Sequence, residues 1–205
     1  MSEKKISGAV LRRLPVYLHY LKSLPEREQK TISSSAIAAA LKLGDVQVRK
    51  DLALVSGEGK PKIGYYVSAL ISRLEKTLGS RNITKAVVVG AGKLGKALMF
   101  YEGFPEYGIE INAAFDCDAS KYGALASGKE VMPMEKLADY CAAQNIKIGI
   151  ITVPEKEAQK VCDRLISAGV SAIWNFASAS LETPAGVKVK NENIASSLAV
   201  LAYSC

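Results

Sequence analysis

An apolar run that empties into three spaced glycines constrains this chain more than any other feature. Ala86-Val87-Val88-Val89 is followed by Gly90-Ala91-Gly92-Lys93-Leu94-Gly95. β-Branched residues in an unbroken run fit a parallel strand buried on both faces. In G-x-G-x-x-G the first glycine allows a tight turn, the second lets a pyrophosphate approach the backbone, and the third lets the following helix pack on the strand. Ala97, Leu98 and Tyr101 continue that helix. The backbone N–H groups and dipole of a helix start suit an anion.

More alternation follows. A second strand, Ile109–Phe115, ends at Asp116, where a carboxylate can accept both hydroxyls of an adenosine ribose and repel a 2′-phosphate. That favours NAD over NADP, with Asp118 as the close alternative. Further elements are expected as helix 133–144, strand 146–153, helix 156–168 and strand 171–176. Repeated β-α-β units predict a doubly wound parallel sheet. Thr152-Val153-Pro154 and Asn175-Phe176 fall at strand carboxyl ends, where open α/β sheets bind ligands. Lys93 is either a counter-charge to pyrophosphate or a solvated lysine at the helix start. The cofactor candidates are thus Gly90, Ala91, Gly92, Lys93, Leu94, Gly95, Asp116, Asp118, Thr152, Val153, Pro154, Asn175 and Phe176.

Charge separates this half from the one before it. Residues 1–84 hold fifteen Lys and Arg against seven Asp and Glu, and residues 85–205 hold twelve against thirteen. Basicity confined to one module points to a polyanionic partner. Within it Val10, Leu11, Leu14, Leu18 and Leu21 repeat at helical spacing, with Pro15 expected to bend or restart the helix. Ser33-Ser34-Ser35 offers N-caps to a short helix with Ile37, Ala38 and Leu41 inward. Leu43-Gly44 is expected to end that helix, and Asp45 to cap the next. Val48, Leu52 and Val55 line one face of this third helix, and Gln47, Arg49 and Lys50 lie opposite. Helix, glycine turn, helix is the helix-turn-helix order, and such outward residues reach bases or phosphates in a major groove. The stretch Gly57–Tyr66, with Lys60, Lys62 and Tyr65, reads as a β-wing that tracks phosphates. Ser33, Gln47, Arg49, Lys50, Lys60, Lys62 and Tyr65 are the DNA-binding candidates. The expected architecture is α/β: a winged helix-turn-helix domain (1–80), a Rossmann domain (81–190) and a C-terminal helix (191–205).

Other chemistries fit poorly. His19, in the first helix, is the only histidine, so no histidine triad or histidine metal cluster can form. No Y-x-x-x-K pair follows the glycine turn, and about 25 residues remain after the last buried strand, too few for a catalytic domain. The bound nucleotide therefore reads as a signal, not a reagent. No catalytic or metal residue is expected. Cys117, Cys141, Cys162 and Cys205 form no C-x-x-C and are read as reduced, partly buried thiols of a cytoplasmic protein. No apolar run approaches the ~18–20 residues of a membrane span, and no signal peptide is expected.

These residues, in this order, resemble the Rex family of redox-sensing transcriptional repressors. Val48-Arg49-Lys50-Asp51-Leu52 is similar to the family's recognition-helix signature, and Gly64-Tyr65 to the end of its wing. Gly90–Leu98 with Tyr101 is similar to its cofactor turn. Phe115-Asp116-Cys117-Asp118, Thr152-Val153-Pro154 with Ala158-Gln159, and Asn175-Phe176 follow in register. The resemblance implies a homodimer that binds NAD(H), exchanges its last helix between subunits and reads a palindromic operator. It implies release from DNA by NADH, with NAD⁺ permitting binding, at genes of fermentation and NADH reoxidation. Arg13, Tyr101, Asn193 and Ile194 are the switch and dimer residues it implies. Three positions depart from the pattern: Lys93 stands where Asn is frequent, Ser178 where Pro is, and Asn193 where an Asp usually changes partners between states. Asn193 can hydrogen-bond Tyr101 or Arg13 but cannot form an ion pair. Two other readings remain open: an NAD-dependent oxidoreductase with a DNA-binding appendage, and a sensor of another adenosine compound such as coenzyme A. The final segment, with Ile194, Leu198 and Leu201 at helical spacing, either closes its own domain or serves a dimer.

Overall fold

The computed structural model describes residues 6–25, 30–79, 83–125 and 128–203. The chain divides into two compact units, residues 1–82 with 106–108, and 83–105 with 109–205.

The first unit is a winged helix-turn-helix. Helix α1 spans Gly8–Ser23, α2 Ser34–Leu41, α3 Asp45–Ser56 and α4 Val67–Leu78. Strand β1 (Thr31–Ile32) pairs antiparallel with β2 (Tyr65–Tyr66). Val10, Leu14, Leu18 and Leu21 of α1, Ile37 of α2, Val48 and Leu52 of α3, and Leu70 and Leu74 of α4 share one core.

Two expectations about helix ends are corrected here. Helix α1 does not restart at Pro15 but continues through it. The carbonyl to which Pro15 has no N–H to give belongs to Leu11, an exposed residue. At the other end of the motif, α2 is closed by Lys42 in the left-handed region (φ 54°), its N–H bonded to Ala38 and Ala39 carbonyls. Gly44 instead caps the start of α3, and Asp45 is that helix's first residue. Asp45 accepts hydrogen bonds from Ser35 Oγ at 3.0 Å and Ser34 Oγ at 3.3 Å, so it ties the two helix starts together.

One buried charge locks α1 to α3. Asp51, on the inward face of α3, is 3% exposed. It accepts from Arg13 Nε at 2.7 Å, Arg13 Nη2 at 2.9 Å and the Tyr17 hydroxyl at 2.8 Å. Burial alone would raise the Asp51 carboxyl; the Arg13 fork and the Tyr17 hydroxyl outweigh it and hold it below its ordinary value. Burial and the bond to Asp51 push Tyr17 up to about 12, so it stays a donor.

The second unit is a seven-stranded sheet. Its strands are β3 (Thr84–Val89), β4 (Ile109–Asp116), β5 (Gly123–Ala124), β6 (Glu130–Pro133), β7 (Ile148–Ile151), β8 (Ala172–Asn175) and β9 (Lys188–Asn191). The order is β5-β6-β4-β3-β7-β8-β9, with every pair parallel except β5–β6. Without the short β5 this is the doubly wound dinucleotide-binding order, with its reversal between β3 and β7. The remaining helices are α5 (Lys93–Phe100), α6 (Leu137–Gln144), α7 (Glu155–Ser167) and α8 (Ile194–Ala202). Val87, Val89 and Phe115 pack with α6 and α7 on one face of the sheet, and Ala86, Val88 and Ile111 with Met99 of α5 on the other. Helix α6 is shorter than expected because a 3-10 turn, Met134–Lys136, takes its first residues. Of the thiols, Cys117 is exposed, not partly buried. Cys141 and Cys162 are buried, and burial pushes Cys141 up to about 11. Cys205 lies outside the described residues.

Acid should unlock the first unit. Because the folded Asp51 carboxyl titrates below its unfolded value, its contribution is complete above about pH 4 and is lost as pH falls through the folded pKa. Wild-type unfolding free energy is expected to fall as pH drops below about 4. Asp51→Ala should cost about 3 kcal/mol at neutral pH and make that slope shallower, leaving the share of Asp116; urea titrations between pH 3 and 7 check both.

Candidate nucleotide and DNA surfaces

At the β3–β7 reversal three loops interlock. The Gly90 N–H bonds the Phe115 carbonyl at 2.8 Å, and the Thr152 N–H bonds the Val89 carbonyl at 2.9 Å. The Thr152 hydroxyl donates to the Gly90 carbonyl at 2.7 Å. Gly90 has φ +104°, a conformation side chains disfavour, and its Cβ would sit 2.8 Å from the Thr152 carbonyl. A Cβ at Gly95 would land on the Gly90 carbonyl oxygen. Both outer glycines are therefore required by the protein's own packing.

Gly92 differs. It caps the start of α5 at φ −74°, and a Cβ there would meet nothing within 4 Å. Neither backbone conformation nor internal packing demands a glycine. Lys93 and Leu94 begin α5 beside it, both exposed. The first N–H groups of a helix have no partners within it. What forms is a bare, donor-rich turn at the sheet's switch point, suited to a diphosphate.

The acidic pair divides its labour. Asp116 is 6% exposed and its oxygens are occupied. They accept from the Ala91 N–H at 2.7 Å, the Asp118 N–H at 2.9 Å and Lys121 Nζ at 3.0 Å. Burial would raise this carboxyl, but the Asp118 N–H, Lys121 and the Ala91 N–H hold it below its usual range. Asp116 therefore braces the glycine turn from beneath. The exposed carboxylate at this strand end is Asp118, which accepts from the Ser120 hydroxyl at 2.7 Å. Of the two alternatives for the ribose, Asp118 is the accessible one.

Two other candidates are structural in the same way. Asn175 is fully buried and donates to the Ala179 carbonyl and Asn191 Oδ1, each at 2.9 Å, while accepting from the Ala177 N–H at 3.0 Å. It turns the chain after β8 and has little left for a ligand. The Thr152 hydroxyl is spent on Gly90 and Val89 carbonyls. Val153 and Phe176 are half-buried, and Pro154 is exposed at the start of α7. Phe176 belongs to an aromatic row, Tyr101–Phe104–Trp174–Phe176, with centroids 4.9, 6.0 and 4.6 Å apart. Tyr101 itself is exposed at the end of α5. Asn193 caps α8, accepting from the Ser196 N–H at 2.9 Å, and Ile194 beyond it is exposed.

In the first unit a groove of about 390 Å³ runs between the start of α2, Arg49 and the wing. Ser33 caps α2, accepting from the Ala36 N–H at 3.1 Å. The wing is a tight turn: Lys60 and Gly64 exchange backbone bonds of 2.9 and 2.8 Å. Gly64 (φ +79°) lies against the Ile32 carbonyl, leaving no room for a side chain. Lys60 sits 5.2 Å over the Tyr66 ring, and Lys62 is exposed. Arg49, held loosely by Asp45 at 3.4 Å, and Lys50 are exposed on α3. Tyr65 lines the floor of the same groove. It is 8% exposed, hydrogen-bonds the Gly59 backbone and supports the wing from below, because the alternation of the β1–β2 pair turns it into the core. Arg13 serves Asp51 within this unit. Asp51, Lys121 and Tyr17 were not among the expected residues. A charged residue set among Val48, Leu52 and Val55 was the available signal for Asp51.

Thermal unfolding should separate the glycines. Gly92→Ala is expected to stay within about 1 kcal/mol of wild type, the scale of an exposed cap substitution. Gly95→Ala, which forces β3 and α5 apart, should cost several times more.

Sequence and structure comparisons agree with this division. A family model described as a putative DNA-binding protein N-terminus matches residues 5–53, and one described as a CoA binding domain matches residues 81–179. A curated relative from Treponema denticola, named Redox-sensing transcriptional repressor Rex, is 42% identical over 98% of this chain and 96% of its own length. One of the same name from Clostridioides difficile is 39% identical over 99% and 97%. The crystal structure of RSP in complex with NAD⁺ and operator DNA is 36% identical, with a TM-score of 0.89 over 97% of this chain and 92% of that one. RSP in complex with NADH is 35% identical, with a TM-score of 0.85 over 98% and 94%. The chain is a member of the Rex family of redox-sensing transcriptional repressors.

Proposed function

We propose that this protein is a cytoplasmic homodimeric repressor that binds a palindromic operator and is released from it by NADH. The observation that carries the reading is Gly92, a glycine that nothing inside the chain requires, at the mouth of a donor-rich turn. Its bareness is explained by a diphosphate drawn against the backbone. The cofactor turn is Gly90 to Gly95, with Lys93 flanking the diphosphate and Asp118 accepting the ribose hydroxyls. Asp116 and Thr152 hold the turn in shape. Val153, Pro154 and Phe176 border the nicotinamide end, with Asn175 supporting their loop. The domain limits are 1–80, 81–190 and 191–205.

Operator contacts come from the groove and the outer face of α3. Ser33, Arg49, Lys60 and Lys62 take phosphates, while Gln47 and Lys50 reach bases. The dimer reading rests on α8. Ile194, Leu198, Leu201 and Tyr203 are 61–95% exposed, an apolar surface too costly to leave in water along so short a helix. A partner subunit covers it, and the two-fold axis so made matches a palindrome. NADH prefers a dimer geometry whose recognition helices miss one half-site, so DNA and NADH oppose one another.

The test uses the single tryptophan, Trp174, as an energy donor to bound NADH, alongside anisotropy of a labelled family-type palindromic operator. NADH is expected to quench Trp174 and release the DNA, NAD⁺ to leave it bound, and coenzyme A to do neither. Gly92→Val should abolish quenching in a chain that still binds operator. Reciprocity requires operator to weaken NADH by the same factor, ~5–150-fold. Operator binding blind to NADH would overturn the sensor reading.

A further inference from the structure

Gln47, third residue of α3, is exposed, yet half of its amide is already committed. Its amide satisfies its neighbours only with the oxygen turned toward Arg13, where it lies 3.0 Å from Nη1, the donor left over once Nε and Nη2 are given to Asp51. The reverse orientation would set amide donors against guanidinium donors, so the oxygen is the atom that must point there. Arg13 cannot follow Gln47 outward, because Asp51 grips it at 2.7 and 2.9 Å and is itself buried and bonded to Tyr17.

An unconstrained glutamine reads adenine in the major groove, accepting from N6 and donating to N7. With the oxygen of Gln47 turned toward Arg13, its NH₂ is the end turned away from it. We infer that Gln47 presents its NH₂ to the groove and prefers guanine, whose N7 and O6 both accept, over adenine, whose N7 accepts but whose N6 sets a second donor against it. Arg13 is a positioning residue: it touches no base but determines which atom of Gln47 faces the groove. This rests on the DNA-binding reading above, and it adds a rule for one base of the operator and the origin of that rule on another helix.

The experiment is selection from a randomised duplex pool by the full-length chain, comparing wild type, Gln47→Met, Gln47→Glu and the double variant Arg13→Met/Asp51→Met. Wild type should enrich guanine at a symmetric pair of positions by about tenfold over adenine. Gln47→Met should flatten those positions alone. Gln47→Glu keeps the Arg13 contact but presents an acceptor, so cytosine, with its N4 donor, should replace guanine. The double variant, its folding checked by circular dichroism because the Tyr17 hydroxyl loses its acceptor, removes both ends of the ion pair together and frees the oxygen; preference should move to adenine. Identical motifs for wild type and both Gln47 variants, or adenine at the Gln47-dependent position in wild type, would overturn the inference while leaving DNA binding intact. A pool that wild type fails to enrich at all would overturn the DNA-binding reading, and this inference with it.

Discussion

Everything at the nucleotide surface depends on how closely β3, the turn after it and α5 approach one another. The Gly95 backbone lies where any side chain would strike the Gly90 carbonyl, and the Thr152 hydroxyl holds that same carbonyl from the neighbouring strand end. One oxygen thus registers three elements: the end of β3, the first turn of α5 and the loop after β7. Asp116 completes the frame through the Ala91 N–H. The first N–H groups of α5 are aimed by these contacts alone, before any ligand arrives. Preorganised donors spend no reorganisation energy when an anion binds.

The winged helix uses the same device with opposite charge. Asp51 is a buried anion whose cost is met by a bidentate arginine and a hydroxyl, and the trio fixes the angle between α1 and the recognition helix. Buried ion pairs contribute more to uniqueness of arrangement than to net stability in some folds, and a recognition helix is a place where arrangement matters most.

Periodicity carried most of the architecture. The β-branched run 86–89, the glycine spacing and the alternation after it place β3, α5, β4, β7, α7 and β8 within a few residues, because each follows from local pattern. Local pattern does not show long-range competition for hydrogen bonds. Asp116 and Asn175 have the right chemistry at the right strand ends, yet neighbouring loops claim their hydrogen bonds through Ala91, Lys121 and Ala179. Gly44 looked like a terminator, but Lys42 reached the left-handed region first and left Gly44 to begin α3. The burial of Tyr65 beneath the wing follows from the register of a two-residue strand, which no local pattern announces. Gln47 was legible as a base reader; the state of its amide was not, since that depends on an arginine in another helix.

The two margins of the large sheet bear on how copies of this chain can meet. One margin is β5, only two residues long and reversed against its neighbour. The other is β9, where Lys188 and Lys190 stand exposed on alternate positions. Short reversed strands and edge lysines both discourage a neighbour's strand from adding to the row of backbone groups. Protomers of such a molecule are steered away from continuing each other's sheet and toward contacts made by side chains alone, which can be remade at another angle without tearing a backbone ladder apart.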